Sequence, residues 1–426
     1  MGPAIVPEVT RGAGLRSGRA LFLAADLPWP RDGGGRIGTL HLLEAMCRIY
    51  EVDLVAMADP QGEPDLEYLR SICSSVEAVA IPFTFGRHRI HQSVVFGRSL
   101  FSREPYRIRK FRSRRFESVV WRRLATGRYE LLHCDSLGTV PYARLAPPDL
   151  PATMAHHNME SDIYRMAALQ ATNPVRRLLA SIEERKLRRS ESTRLPTFDR
   201  TFVVAPEDAE LLRRLGVERT TVLPMPAPSL SEPRRTPPSG RRILSLGSMS
   251  WYGVADGLLW FHDQVLPLVR ERVPDVEWEL VGPFAPAAIR RLDGEPGIRV
   301  TGYVPELASH VAMARIAIVP LRIAGGIRIK LLDCLAWGLP AVSTSVGARG
   351  LEIPEGAGSF RQDDPAGFAD KVVQLLTDDR VWLSTAEAGR RFVSEHHSVA
   401  KFDAAVEFGI QAAIRHRDLQ GPSATG

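Results

Sequence analysis

Residues 320–351 read PLRIAGGIRIKLLDCLAWGLPAVSTSVGARGL, and their pattern sets the fold class. The apolar run Ile316–Leu321 that leads into them suits a buried strand. A loop follows with Gly325 and Gly326 at its centre. From Ile327 to Trp337, Leu331, Leu332, Leu335 and Ala336 fall at helical spacing. Gly338 and Pro340 stop that helix. Ala341–Thr344 is the next strand, and Gly347 and Gly350 end the unit. Strand, glycine turn, helix and strand make one βαβ unit.

The chemistry follows from the order of these parts. Glycine lets the backbone approach a ligand at a helix N-terminus, where Gly325, Gly326 and Ile327 offer amides. The helix dipole favours an anion there. Arg328 adds a fork that fits phosphate, and Lys330 a point charge. Asp333, one turn on, suits hydroxyls such as those of a ribose. The stretch reads as a site for a diphosphate joined to sugars. A βα turn with two solvated basic side chains would use the same residue types.

Gly325-Gly326-x-Arg328-x-Lys330-x-Leu332-Asp333, continued by Ala336, Gly338, Pro340 and Val342-Ser343-Thr344, resembles the nucleotide-sugar motif of glycosyltransferase family 4. It is most similar to a branch with a Gly-Gly-x-Arg-x-Lys donor motif, often linked to exopolysaccharide biosynthesis. The usual motif carries two glutamates eight positions apart. Asp333 matches the second, while Gly325 stands at the first. The resemblance implies an α/β chain of GT-B fold, with two Rossmann-like domains facing each other across a cleft. It also implies a retaining enzyme that needs no metal or cofactor.

Length and composition agree with that class. At 426 residues, two domains are expected. No apolar run approaches the roughly 20 residues of a membrane-spanning helix. Leu21–Ala25 is too short for a signal-peptide core. Cys47, Cys73, Cys134 and Cys334 are scattered without metal spacing, as expected in a reducing cytoplasm.

Working outward, residues 1–18 read as a disordered tail, 19–225 as an N-terminal acceptor domain and 226–242 as a linker holding five prolines. Residues 243–395 read as the nucleotide-sugar domain, and 396–426 as a helix crossing back to the first domain, plus a tail. After the strand Arg19–Ala25, residues 26–38 read DLPWPRDGGGRIG. The resemblance implies that Gly33, Gly34 and Arg36 lie over the cleft, although a flexible surface turn suits Arg36 alone equally. Strand Ala152–Ala155 leads into His156-His157-Asn158-Met159-Glu160-Ser161. The branch's His-Asn-x-Glu-Ser pattern falls on His157, Asn158, Glu160 and Ser161. His157 is therefore the expected cleft histidine, with His156 as the alternative. In the second domain, the resemblance implies that Gly247 and Ser248 face the donor phosphates, and Tyr303 and Val304 the base.

Residues 86–128 hold thirteen Lys or Arg against Glu104 and Glu117, with aromatics interleaved. Such a segment can rest on an anionic membrane, and a solvated helix face would look the same. No nucleic-acid motif accompanies it, so no nucleic acid is expected.

The expectation is sugar transfer from a UDP- or GDP-type donor to a glycan or lipid-linked acceptor. Arg328, Lys330 and His157 would carry the reaction, in the cytoplasm or on the inner face of the cell membrane. A GT-B nucleotide-sugar 2-epimerase and a non-catalytic GT-B subunit are the rival readings.

Overall fold

The computed structural model describes residues 18–30, 34–59, 65–81, 97, 99, 102–228, 236–249 and 251–421. Gly33, nearly all of the 1–18 tail, and parts of the 86–128 segment and of the 226–242 linker lie outside these residues.

Thirteen described strands form two parallel sheets. The first holds β1 (Arg19–Ala24), β2 (Glu51–Ala58), β3 (Ser75–Ala80), β4 (Leu131–Asp135), β5 (Ala152–His156), β6 (Arg200–Val203) and β7 (Thr220–Val222). Their order is β3-β2-β1-β4-β5-β6-β7. The second holds β8 (Arg242–Leu246), β9 (Glu277–Val281), β10 (Ile298–Gly302), β11 (Ile316–Val319), β12 (Ala341–Ser343) and β13 (Ser359–Arg361), ordered β10-β9-β8-β11-β12-β13.

Period-2 alternation divides each central strand between two helical layers. In β1, Ala20, Phe22 and Ala24 face the layer that contains helix Gly34–Cys47. Leu21 and Leu23 face the opposite layer, with Ile108, Phe116 and Val120. In the second sheet, Ile316 and Ile318 face Phe261, Trp278 and Phe368, while Ala317 faces Leu331 and Leu335.

One helical segment changes form along its length: it runs as Tyr252–Trp260, widens into a π-turn at Phe261–Val265, and resumes as Leu266–Arg272. Pro267 explains this, because it supplies no amide to the helical ladder and its ring crowds the preceding turn. The short edge strand β13 has no alternating signature in the sequence.

The last long helix, Val399–Gln420, lies on the first sheet. Phe402, Val406 and Ile410 join its core, Arg48 reaches Asp403 at 2.6 Å, and buried Asp199 accepts from His416 and Arg417.

The described part of the basic segment is folded into the first domain. Helix Arg114–Thr126 buries Phe116, Val119 and Val120. Arg112 pairs with Glu104, and Arg122 and Arg123 pair with Glu77. Arg114, Arg115 and Trp121 remain exposed.

Candidate active site

Strand order reverses between β1 and β4 in the first sheet and between β8 and β11 in the second. The crevice outside the carboxyl ends of the strands at such a point is where open parallel sheets bind ligands. Both crevices here open onto one cavity of about 590 Å³ between the domains.

The wall from the second domain is built around the turn after β11. Helix Tyr252–Trp260 packs backbone to backbone on that turn: a Cβ at Gly257 would stand 2.2 Å from the carbonyl of Pro320. This contact places Ser248, Trp251 and Tyr252 beside Arg328 and Lys330 in the cavity wall. Helix Ile329–Ala336 begins there, so its free amides point toward the same space. The Arg328 guanidinium donates to the carbonyl of Gly325, and its buried Nε has no hydrogen-bond partner. Burial pulls its pKa down to about 10, against the Asp208 carboxylate and with the Arg349 cation, so it stays charged at neutral pH. Lys330 is 41% exposed and lies 3.2 Å from Asp333. Asp333 is buried behind it. Burial raises that carboxyl's pKa, against the pull of Lys330.

The glycine turn is pressed against the first domain. Gly326 has φ +66°, and a Cβ there would stand 2.2 Å from the carbonyl of His157. A Cβ at Gly325 would meet Ile163 at 2.8 Å and Asn158 at 3.4 Å. The place of the usual motif's first acid is therefore filled from the opposite domain. With its amide nitrogen turned to donate, Asn158 reaches His157 O at 3.1 Å and Gly325 O at 2.8 Å, bonding the two domains. A second clasp comes from Arg349, which donates to Asp162 and, at 2.8 Å, to Asp208. All three side chains of that clasp are buried or nearly so.

The wall from the first domain carries His157, Asn158 and Glu160. His157 Nε2 lies 2.6 Å from Asp135 Oδ1, and Thr39 donates to Asp135 Oδ2 at 2.8 Å. Burial opposes charge on the ring, but the Asp135 carboxylate outweighs it, so the His157 pKa is raised. Burial likewise opposes charge on Asp135, and His157 outweighs it, so the Asp135 pKa is lowered. Each favours the charged form of the other. Glu160 accepts from Arg107, another cation of the cavity wall.

Other expected residues sit elsewhere. His156, the alternative histidine, points away from the cavity: its Nε2 is 3.3 Å from Glu191, which also accepts from Ser161. His156 ends β5 and His157 opens the loop that follows, so the two side chains part there. Arg36 is bonded to Asp26 at 2.9 Å. Gly35, next to Gly34, lies in the wall. Gly247, Ser248, Gly325 and Ile327 line the cavity, whereas Gly326, Asp333, Tyr303 and Val304 do not. Tyr303 is 73% exposed, and Val304 packs on the second core.

Asp135, Thr39, Arg107 and Arg349 went unnoticed in the sequence. Asp135 follows residues YELLHC (129–134) and Arg349 lies within the 320–351 stretch, but neither carries a mark of its partners.

Comparison with known proteins follows the same division. Residues 33–228 match the family model of a glycosyl transferase 4-like domain, and residues 240–378 that of glycosyl transferases group 1. An uncharacterized 44.6 kDa protein in the cps region of Klebsiella pneumoniae is 19% identical over 394 residues, or 90% of this chain and 97% of that one. Anabaena Alr3699/HepE, solved with UDP and glucose, superposes with a TM-score of 0.59 at 13% identity, over 92% of this chain and 99% of that one. WaaG, a glycosyltransferase involved in lipopolysaccharide biosynthesis, gives 0.60 at 12% identity, over 91% and 99%. At such identities the likeness of the two structures is one of fold.

Proposed function

This chain is a glycosyltransferase of the GT-B fold, and on that premise we propose transfer of a sugar from a UDP- or GDP-type donor to an acceptor hydroxyl, with retained anomeric configuration. The carrying observation is a cavity with Arg328 and Lys330 at a helix N-terminus on one wall and His157 on the other. The helix amides, Arg328 and Lys330 stabilise charge on the diphosphate as its bond to the anomeric carbon breaks. The acceptor oxygen bonds to that carbon from the same face, and its proton leaves with the diphosphate. No separate carboxylate base is then required.

Gly325 brings no carboxylate to the sugar, so hydroxyl contacts fall to the first-domain wall, His157 above all. Asp333 meets the ribose only once Lys330 turns from it toward the diphosphate. Closure of the domains through Asn158 and Arg349 excludes water. The acceptor is a glycan or lipid-linked sugar of cell-surface polysaccharide or glycolipid synthesis, a reading supported by WaaG's involvement in lipopolysaccharide biosynthesis. Arg114, Arg115 and Trp121 form the face that rests on an anionic membrane from the cytoplasmic side. No described helix is long and apolar enough to cross one.

The test is thermal stabilisation by UDP, GDP and their sugars, with and without EDTA. A ligand at 100 times its Kd adds about 2.7 kcal/mol. One base should give a shift that EDTA leaves intact, and the matching sugar should be transferred only when acceptor is present. A donor epimerised without acceptor would favour the epimerase, and no shift with any nucleotide would contradict the proposal.

A further inference from the structure

The cavity histidine is held by a residue that itself stays out of the cavity wall. Asp135 ends β4 and is 4% exposed. One of its oxygens accepts from His157 Nε2 and the other from Thr39 Oγ1. The three groups come from separate elements: the strand end, the loop after β5 and helix Gly34–Cys47. The ring edge that carries Nδ1 lies beside Gly38, where an added Cβ would stand 3.2 Å from Nδ1. Nδ1 itself makes no hydrogen bond among the described residues, and His157 borders the cavity.

We propose that Asp135, anchored by Thr39, is a positioning residue for sugar transfer: it holds His157 by Nε2 and fixes Nδ1 as the nitrogen offered to a sugar hydroxyl. This rests on the reading of His157 as a sugar contact. A buried carboxylate on Nε2 selects the ring forms that carry a proton there. In the charged form Nδ1–H donates to a hydroxyl oxygen; in the neutral form Nδ1 accepts from the hydroxyl. Either way Asp135 decides which edge of the ring is presented. Two further titratable groups of β4 interact with the pair: His133, tilted against Phe22 and kept neutral by burial, which pulls its pKa down to about 4, and Cys134, whose thiol burial pushes up. Helix Gly34–Cys47 presents Thr39 and Gly38 to the ring, and Met225 approaches Gly38 beside it.

The test uses the full chain as wild type, Asp135→Asn, Thr39→Val and His157→Gln. Side-chain nitrogen NMR, with the His157 signals assigned by their loss in His157→Gln, reads tautomer and titration directly. The expected result is a protonated Nε2 in wild type and a lower His157 titration midpoint in Asp135→Asn. With UDP-glucose and GDP-mannose as probes, kcat for transfer should fall on the order of 10-fold or more in Asp135→Asn. It should fall severalfold in Thr39→Val, with the Kd for UDP or GDP within about twofold of wild type. A His157 titration unchanged in Asp135→Asn would overturn the proposal. So would loss of nucleotide affinity together with stability at unchanged kcat, which marks a merely structural group. Normal kcat in His157→Gln would instead sink the sugar-contact reading, whatever the NMR shows.

Discussion

The two walls of the cavity are built in different ways. The charged part of the second-domain wall is local: Gly325, Arg328, Lys330 and the start of the helix they open follow one another in the chain, with Ser248, Trp251 and Tyr252 packed beside them. The first-domain wall is assembled at a distance, with Thr39 separated by 96 positions from Asp135 and by 118 from His157. A local wall depends on charge and a helix end, which survive small shifts of neighbouring elements. An assembled wall depends on three elements keeping register, and it breaks when any one of them moves. The first should therefore govern nucleotide grip, and the second the geometry of the sugar.

Arg328→Ala should have the largest effect. It removes a charge-assisted contact to the leaving group, and kcat/KM should fall about 100-fold or more. Near-normal turnover would remove Arg328 from the mechanism and, with it, the idea of a self-sufficient local wall. His157→Ala should follow, lowering transfer roughly 30-fold through one lost hydrogen bond to a sugar, while calorimetric nucleotide affinity holds. Equal loss of both would show that the walls do not divide the work.

Gly326→Ala probes the seam between the walls. A left-handed residue other than glycine costs about 1–2 kcal/mol, before any clash with the His157 carbonyl is counted. Denaturant titration should show that loss, together with weaker transfer. Unchanged stability would mean that the seam relaxes freely.

The smallest effect is a pH dependence confined to the assembled wall. The folded pKa of His157 is raised above the ordinary histidine value of 6.5. The stabilisation is therefore fully present below about 6.5 and is lost as pH rises through the folded pKa. Asp135, with a lowered pKa, contributes above its ordinary value of 3.8 and loses that contribution as pH falls through its folded value. The Tm gap between wild type and Asp135→Asn should be widest between these limits, near pH 5–6 (roughly), and narrow toward alkaline pH. A gap flat from pH 5 to pH 9 would mean that the pair carries no charge in the folded chain.

This contrast also explains what the sequence disclosed. Arg328 and Lys330 were legible because glycine turn, basic residues and helix follow one another in the chain. The two-sheet fold was legible because parallel strands leave apolar runs, as at Leu21–Ala24 and Ile316–Val319. Asp135 and Arg349 were not, since each gains meaning only from partners brought to it by the fold. His156 and His157 are alike as neighbouring letters. The His-Asn-x-Glu-Ser resemblance favoured His157, and Glu191, 35 positions on, shows in the fold why His156 is turned elsewhere. The π-turn before Pro267 was within reach, because a proline inside an apolar helix predicts a break.

The division of labour between the walls is tested most directly by calorimetric titration of UDP and GDP into wild type, Arg328→Ala and His157→Ala. The predicted result is that one nucleotide binds wild type, loses on the order of 10-fold or more in affinity in Arg328→Ala, and binds His157→Ala within about twofold of wild type. Unchanged affinity in Arg328→Ala, or a larger loss in His157→Ala, would contradict it.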